Sequence, residues 1–211
     1  SRQLAAGQLF VPLVGERFDG HSFLEQAAAV GAQAALVQRD RAGAVPAGLL
    51  HWLVDDTLDA YQQLGLLHRR SLRAPVVAVT GSAGKTTTRE LIRAVLHQLG
   101  PVIASSGNEN NDIGVPLTLL NLRPHHRMAV VELGMNHPGE IAYLAPMTQP
   151  TVALVNNAQR EHQEFMGTVE AVALENGAVL LSLPSQGVAV YPADETHTPV
   201  WQAQSASRAQ H

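Results

Sequence analysis

One segment constrains this chain more than any other: Val76-Val77-Ala78-Val79, followed by Thr80-Gly81-Ser82-Ala83-Gly84-Lys85-Thr86-Thr87. A continuous, mostly β-branched apolar run suits a strand buried on both faces of a parallel sheet. Glycines at 81 and 84 permit a tight turn in which backbone N–H groups converge. Lys85 then opens a helical pattern that runs to residue 99, with Gly100 placed to stop it. A buried strand, a glycine turn and a helix opening on Gly-Lys-Thr make a phosphate-binding loop. The N–H groups and the helix dipole attract the anion, Lys85 reaches β- and γ-phosphates, and the Thr86 hydroxyl can bind Mg²⁺. The spacing is unusual, since the common loop needs glycine where Val79 stands. The competing reading, a plain strand–turn–helix junction with a stray lysine, fits poorly with Gly-Lys-Thr lying directly between strand and helix.

The rest of the chain alternates strand and helix signals. Before residue 75, strands are expected at 9–14, 34–37 and 49–54. Helices are expected at 21–30, closed by Gly31, and at 57–70, N-capped by Asp56 or Thr57. Residues 71–75 read as a linker. Beyond it, strands are expected at 76–79, 102–104, 128–131, 152–155 and 188–190, with helices at 85–99, 115–122, 139–145 and 168–183. The tail, 202–211, is polar and is expected to fray. This alternation predicts an α/β fold: a small N-terminal α/β domain (1–74), then a mainly parallel-sheet P-loop domain (75–211).

Composition removes several classes. The formal net charge is −4 and no basic run occurs, so nucleic acid is not an expected partner. No apolar stretch approaches the roughly 20 residues of a membrane span, and membrane insertion is not expected. The chain has no cysteine, which excludes disulfides and thiolate metal sites and suits a reducing, cytoplasmic setting.

Three further features carry chemistry. Glu132 ends the expected strand 128–131, at the same carboxyl edge as the phosphate loop, where a carboxylate can hold Mg²⁺; alone, it would read as a solvated strand end. His162 follows strand 152–155 and the pair Asn156-Asn157. It could bind a metal or the transferred phosphate, though a lone histidine is more often a surface or packing residue. Residues 107–116, Gly-Asn-Glu-Asn-Asn-Asp-Ile-Gly-Val-Pro, are dense in asparagine. Asparagine suits recognition of amides and hydroxyls and equally suits a turn-rich surface loop.

Taken together, these segments resemble the Mur ligase family, and in particular its dipeptide-adding branch. The residues that carry the resemblance are Leu9-Phe10-Val11-Pro12-Leu13, Gly15-Glu16-Arg17-Phe18-Asp19-Gly20-His21, the loop at 80–87, the stretch 107–116, Glu132-Leu133-Gly134, and Asn156-Asn157 with His162. The resemblance implies a three-domain, monomeric, cytoplasmic ligase of peptidoglycan synthesis that uses ATP and Mg²⁺. It implies UDP-N-acetylmuramoyl-tripeptide and D-alanyl-D-alanine as substrates, joined through an acyl phosphate. The first domain would hold the uridine diphosphate part; Ser1 and Arg17 from it, and Asn108, Asn110 and Asn111 from the central domain, would lie on the substrate side. The central domain would bind ATP through Thr80, Gly81, Ser82, Ala83, Gly84, Lys85, Thr86 and Thr87. Metal would be held by Thr86, Glu132 and His162, and catalysis would rest on Lys85, Glu132, His162 and Asn176. Later strands of the central domain, the amine-carrying third domain and a short leading segment are expected outside this chain.

Two departures stand out. Many family members carry a carbamylated, metal-bridging lysine where this chain has Asn176, which can be neither carbamylated nor charged; Glu175 or a water would have to compensate. Pro12 and Val14 stand where relatives often have alanine and lysine. Three other readings remain open: a sister amino-acid or folate-type ligase, a P-loop switch or motor, and a nucleotide-binding module without chemistry. The turn at 15–21 argues against the first, and Glu132 in place of a strand-end aspartate argues against the second.

Overall fold

The computed structural model describes residues 4–160 and 163–207, which form two compact units, Ser1–Leu64 and Gly65–His211. The division falls within a helix rather than in the stretch 71–75. Both units are α/β with parallel sheets.

The first unit is built on β1 (Leu9–Phe10), β2 (Val14–Gly15), β3 (Phe18–Asp19), α1 (Leu24–Val30), β4 (Ala34–Gln38) and β5 (Leu50–Val54). The long helix α2 (Thr57–Ser71) starts in this unit. A parallel sheet runs in the order β1-β4-β5, and β2 and β3 form a separate antiparallel hairpin. The single strand expected at 9–14 is thus broken. Pro12 has no N–H to give a ladder, and the chain leaves the sheet there. The expected helix at 21–30 opens as a 3₁₀ turn, Gly20–Phe23, because the Asp19 carboxylate accepts the His21 N–H and tightens the first turn. A second 3₁₀ turn, Arg39–Ala44, was not legible in the sequence. Gly31 closes α1 in the left-handed region at φ 91°, and Asp56 caps α2 by accepting the Asp59 N–H. The core is small: Phe10, Leu24, Ala27, Ala35, Val37 and Leu49.

The second unit carries β6 (Val76–Thr80), α3 (Lys85–His97), β7 (Val102–Ala104), α4 (Gly114–Leu120), β8 (Met128–Glu132), α5 (Glu140–Thr148), β9 (Val152–Val155), α6 (Gln163–Met166), α7 (Val169–Leu181), β10 (Val188–Val190) and α8 (Thr198–Ser207). Its five strands are all parallel, in the order β10-β9-β6-β8-β7. The first strand in sequence, β6, is therefore central, and its apolar run Val76, Ala78 and Val79 is fully buried. In a parallel sheet all carboxyl ends share one edge, so the chain leaving β6, β8 and β9 delivers its following residues to one place. Val115, Leu119, Ile141, Leu144, Val172 and Val179 pack the sheet from α4, α5 and α7.

The tail differs from expectation. Gln202 to Ser207 lie in α8 rather than in a frayed end. The reason is Trp201, whose indole is fully buried and donates from Nε1 to the Ala173 carbonyl of α7 at 3.0 Å. Burying so large an aromatic surface docks a helix whose remaining residues are too polar to announce it.

Candidate functional site: a braced phosphate loop

The loop at the end of β6 has the geometry its glycines suggested. Gly81 sits at φ 133° and Gly84 at φ 75°, conformations that side-chain-bearing residues rarely adopt. A Cβ on Gly81 would lie 2.8 Å from Asn156 Cβ, so the loop also runs too close to the next strand's end to admit one. Helix α3 starts directly after Gly84, and no side chain caps its first turn. A helix N-terminus without a side-chain cap is the arrangement that favours an anion. The Lys85 ammonium folds back onto the loop and donates to the Gly81 carbonyl at 2.5 Å.

Asparagines hold this loop from behind. Asn157 Oδ1 accepts the Ala83 N–H at 3.0 Å, and both Asn156 and Asn157 donate from Nδ2 to the Ala83 carbonyl. Thr88 of α3 donates to Asn156 Oδ1 at 3.2 Å. From α7, Asn176 Oδ1 accepts the Gly81 N–H at 2.9 Å, while the Thr80 hydroxyl donates to the Asn176 carbonyl at 3.0 Å. Ser82 is tied to Gln159, which donates its N–H to the Ser82 hydroxyl at 2.9 Å. Thr87 is exposed on the first turn of α3.

Glu132 lies at the end of β8 and is 2% exposed. Its Oε2 accepts from the Thr86 hydroxyl at 3.1 Å and from the Arg89 guanidinium at 3.0 Å, and its Oε1 accepts from Asn110 Nδ2 at 3.0 Å. The Glu132 N–H is itself held by the Ser105 hydroxyl. A hydroxyl and one carboxylate pointing at the same spot are what Mg²⁺ asks of a protein when phosphates and waters supply its remaining ligands. Among the described residues there is no cluster of three or more histidine or carboxylate groups that could hold a metal unaided.

The other sequence-derived candidates fall in different places. Asn110 reaches Glu132. The Asn111 side chain is engaged by the Ile113 and Gly114 N–H groups, capping the start of α4, and Asn108 is exposed. Arg17 is exposed in the β2–β3 turn of the first unit. Ser1 and His162 lie outside the described residues. Glu175 is committed to α5, its Oε1 accepting the Ile141 N–H at 2.8 Å. A cavity of about 510 Å³ opens between the loops, lined among others by Lys85, Asn110, Asn111, Met135, Tyr143 and Leu144. At its rim Glu140 accepts the Asn136 and His137 N–H groups. Burial alone would raise its pKa, but these bonds outweigh burial and lower it.

Arg89 escaped the sequence reading. It is 3% exposed and grips Glu132, Glu90 and the Gly107 carbonyl together. Its signal was its position four residues after Lys85, on the same helix face one turn further on, where a cation could meet the strand-end carboxylate.

Comparison with known proteins agrees with this architecture. A sequence model of the Mur ligase middle domain matches residues 79–210, and one of the Mur ligase family catalytic domain matches residues 1–65. The UDP-N-acetylmuramoyl-tripeptide–D-alanyl-D-alanine ligase of Escherichia coli (strain K12) is 45% identical over 208 residues, covering 99% of this chain and 45% of that protein. The chain thus spans about half the length of the curated relatives it matches. MurF from Acinetobacter baumannii superposes with a TM-score of 0.90 at 38% identity, covering 98% of this chain and 45% of the other. MurF ligase from Thermotoga maritima, in complex with ADP, does so with a TM-score of 0.86 at 30% identity, covering 98% and 47%. With both of its compact units matched in sequence and in fold, the chain belongs to the Mur ligase family.

Proposed function

We propose that this chain is the nucleotide- and substrate-holding part of an ATP-dependent ligase that joins D-alanyl-D-alanine to UDP-N-acetylmuramoyl-tripeptide in peptidoglycan synthesis. The observation that carries the reading is the convergence of Lys85, Thr86 and Glu132 at the carboxyl edge of β6 and β8. The first unit takes the uridine diphosphate end of the substrate, with Arg17 on that side, and the second takes ATP on residues 80–87.

A carboxylate is a poor electrophile, and the γ-phosphoryl group of ATP activates it. The tripeptide's terminal carboxylate attacks the γ-phosphorus, ADP leaves, and an acyl phosphate forms. The amine of D-alanyl-D-alanine then attacks the acyl carbon, and phosphate departs as the amide forms. The protein's share is positioning and neutralisation of charge. Lys85 swings from the Gly81 carbonyl to the β- and γ-phosphates, and the uncapped first turn of α3 receives the phosphate oxygens. Asn110 and Asn111, which line the cavity, take the sugar-nucleotide or acyl-phosphate side of the substrate. Thr86 and Glu132 would hold Mg²⁺, which would supply neutralisation of phosphate charge; His162 is a further proposed ligand. The chemistry needs no membrane, and no helix among the described residues is long and apolar enough to cross one.

The test is incubation of the whole protein with ATP, Mg²⁺, UDP-N-acetylmuramoyl-tripeptide and D-alanyl-D-alanine, reading the product by mass. A product heavier by one D-alanyl-D-alanine residue pair, formed only with ATP, supports the proposal; incorporation of a single amino acid instead would reassign the chain to a sister activity.

A further inference from the structure

Asn176 is 1% exposed, sits in the middle of α7 and makes two contacts with the loop from one residue. Its side-chain carbonyl takes the Gly81 N–H at 2.9 Å, and its main-chain carbonyl takes the Thr80 hydroxyl at 3.0 Å. These two residues are where β6 stops being a strand and turns into the loop, at the strained φ of Gly81. The second half of the carboxamide is different. Nδ2 is buried and has no hydrogen-bond partner among the described residues. An unsatisfied buried amide costs free energy. A leucine or methionine would fill the helix position without that cost. The carboxamide is therefore poorly explained as packing and well explained by what it does to Gly81.

We infer that Asn176 is a positioning residue for nucleotide. Its Oδ1 locks the Gly81 peptide before the phosphates arrive, so that the loop is already set when they bind, and its Nδ2 is a spare fixed donor at the loop's rear. A preset loop loses less conformational freedom on binding, which appears as affinity. The inference rests on the proposal that residues 80–87 bind a nucleotide, and deepens it by naming what fixes the loop's shape.

The charged side chains around Asn176 matter for the test. Among described side chains, α7 and the elements packed on it (α5, α6, α8, β6, β9) carry only the carboxylates Glu140, Glu170 and Glu175; the cation facing the loop is Lys85, which contacts the Gly81 carbonyl. In Asn176→Asp the new carboxyl would take a position only 1% exposed, and burial raises its pKa. Protonated, it matches asparagine with one acceptor and one donor; ionised, it keeps the acceptor but places a negative charge behind the phosphates.

The experiment is calorimetric titration of the 211-residue chain with Mg²⁺-ADP, together with amide exchange at Gly81, for wild type, Asn176→Ala and Asn176→Asp. Wild type should bind; if it does not, the nucleotide proposal itself fails, separately from this one. Asn176→Ala should lose Gly81 amide protection and about tenfold in affinity, the worth of roughly one such bond. Asn176→Asp, nearly isosteric and expected to fold, should bind about tenfold worse than wild type near pH 8 and recover towards it near pH 5.5 as its raised pKa is crossed. A merely structural asparagine would lower the melting temperature of both variants and leave the affinity ratio to wild type flat with pH. Affinity within about twofold of wild type for both variants at every pH, or unchanged Gly81 protection in Asn176→Ala, overturns the inference.

Discussion

The Arg89 guanidinium and the Glu132 carboxylate meet at 3.0 Å, with only 4% and 2% of their side chains exposed. Arg89 also reaches Glu90 and the Gly107 carbonyl, so Glu132 is gripped by a cation that is itself anchored. The proposed metal ligand is thus oriented before any metal is present, which separates two consequences of removing it.

Glu132→Ala leaves Arg89 buried with its main partner gone. Breaking one side of such a pair costs about 3–5 kcal/mol, nearer the lower end here because Glu90 remains. Urea unfolding should show this loss, and Glu132→Gln, which keeps hydrogen-bonding capacity, should lose clearly less. Equal stability of Glu132→Ala and wild type would mean that the pair contributes nothing. In both variants the Mg²⁺ dependence of nucleotide binding should also weaken.

Lys85→Ala should behave in the opposite way. The side chain is partly exposed and alanine is a good helix former, so thermal unfolding should change little. Affinity for Mg²⁺-ATP should fall at least about tenfold, the worth of one charge-assisted hydrogen bond. Wild-type affinity in a correctly folded variant would count against the phosphate-loop assignment.

Trp201→Ala removes the anchor of α8. Truncating a fully buried aromatic costs about 3–5 kcal/mol. Amides of Thr198–Ser207 should exchange faster, because the helix keeps few apolar contacts without the indole. Unchanged protection in α8 would show that its seat on α7 does not depend on Trp201.

Asp19 provides a pH signature in the first unit. The His21 N–H, the His21 ring and Arg41 all stabilise its carboxylate and outweigh burial, lowering its pKa from 3.8 to about 2. Because the folded value is the lower one, the stabilisation is fully present above pH 3.8 and disappears as pH falls through about 2. Asp19→Asn should therefore lower the urea midpoint at neutral pH, and the gap to wild type should close towards pH 2. A gap that stays constant down to pH 2 would contradict the assignment.

How far the sequence could be read depended on whether an element announces itself locally. The loop at 80–87 and the buried strand before it were legible because glycine geometry and apolar runs are local signals. Glu132 was legible because a strand end in a parallel sheet has one address. Arg89 was not: nothing local tells a buried arginine from an exposed one, and its burial depends on the carboxylate, carbonyl and second carboxylate that tertiary folding brings to it. Helix α8 was hidden for a related reason, since one tryptophan docks an otherwise polar segment. The break at Pro12 could have been foreseen from its missing N–H, but the apolar run around it outweighed that signal. The asparagines split by partner. Asn110, Asn156, Asn157 and Asn176 hold the site, whereas the Asn111 side chain caps a helix, and composition alone cannot separate the two uses.

The strand order also bears on how the molecule is made. β6, which carries the phosphate loop, does not pair with the next strand in the chain but with β8, as Val76 opposite Ala129, and with β9, as Val77 opposite Val152. A ribosome must therefore release the chain as far as Val155 before the loop's own strand has a neighbour on each side. Parallel pairings so distant in sequence close slowly, and until they close the apolar run Val76–Val79 stands unprotected. The stretch that most firmly defines the site thus stays open on one side until β9 has been made, and substitutions in β8 or β9 that slow this step would lower soluble yield before they altered any property of the finished protein.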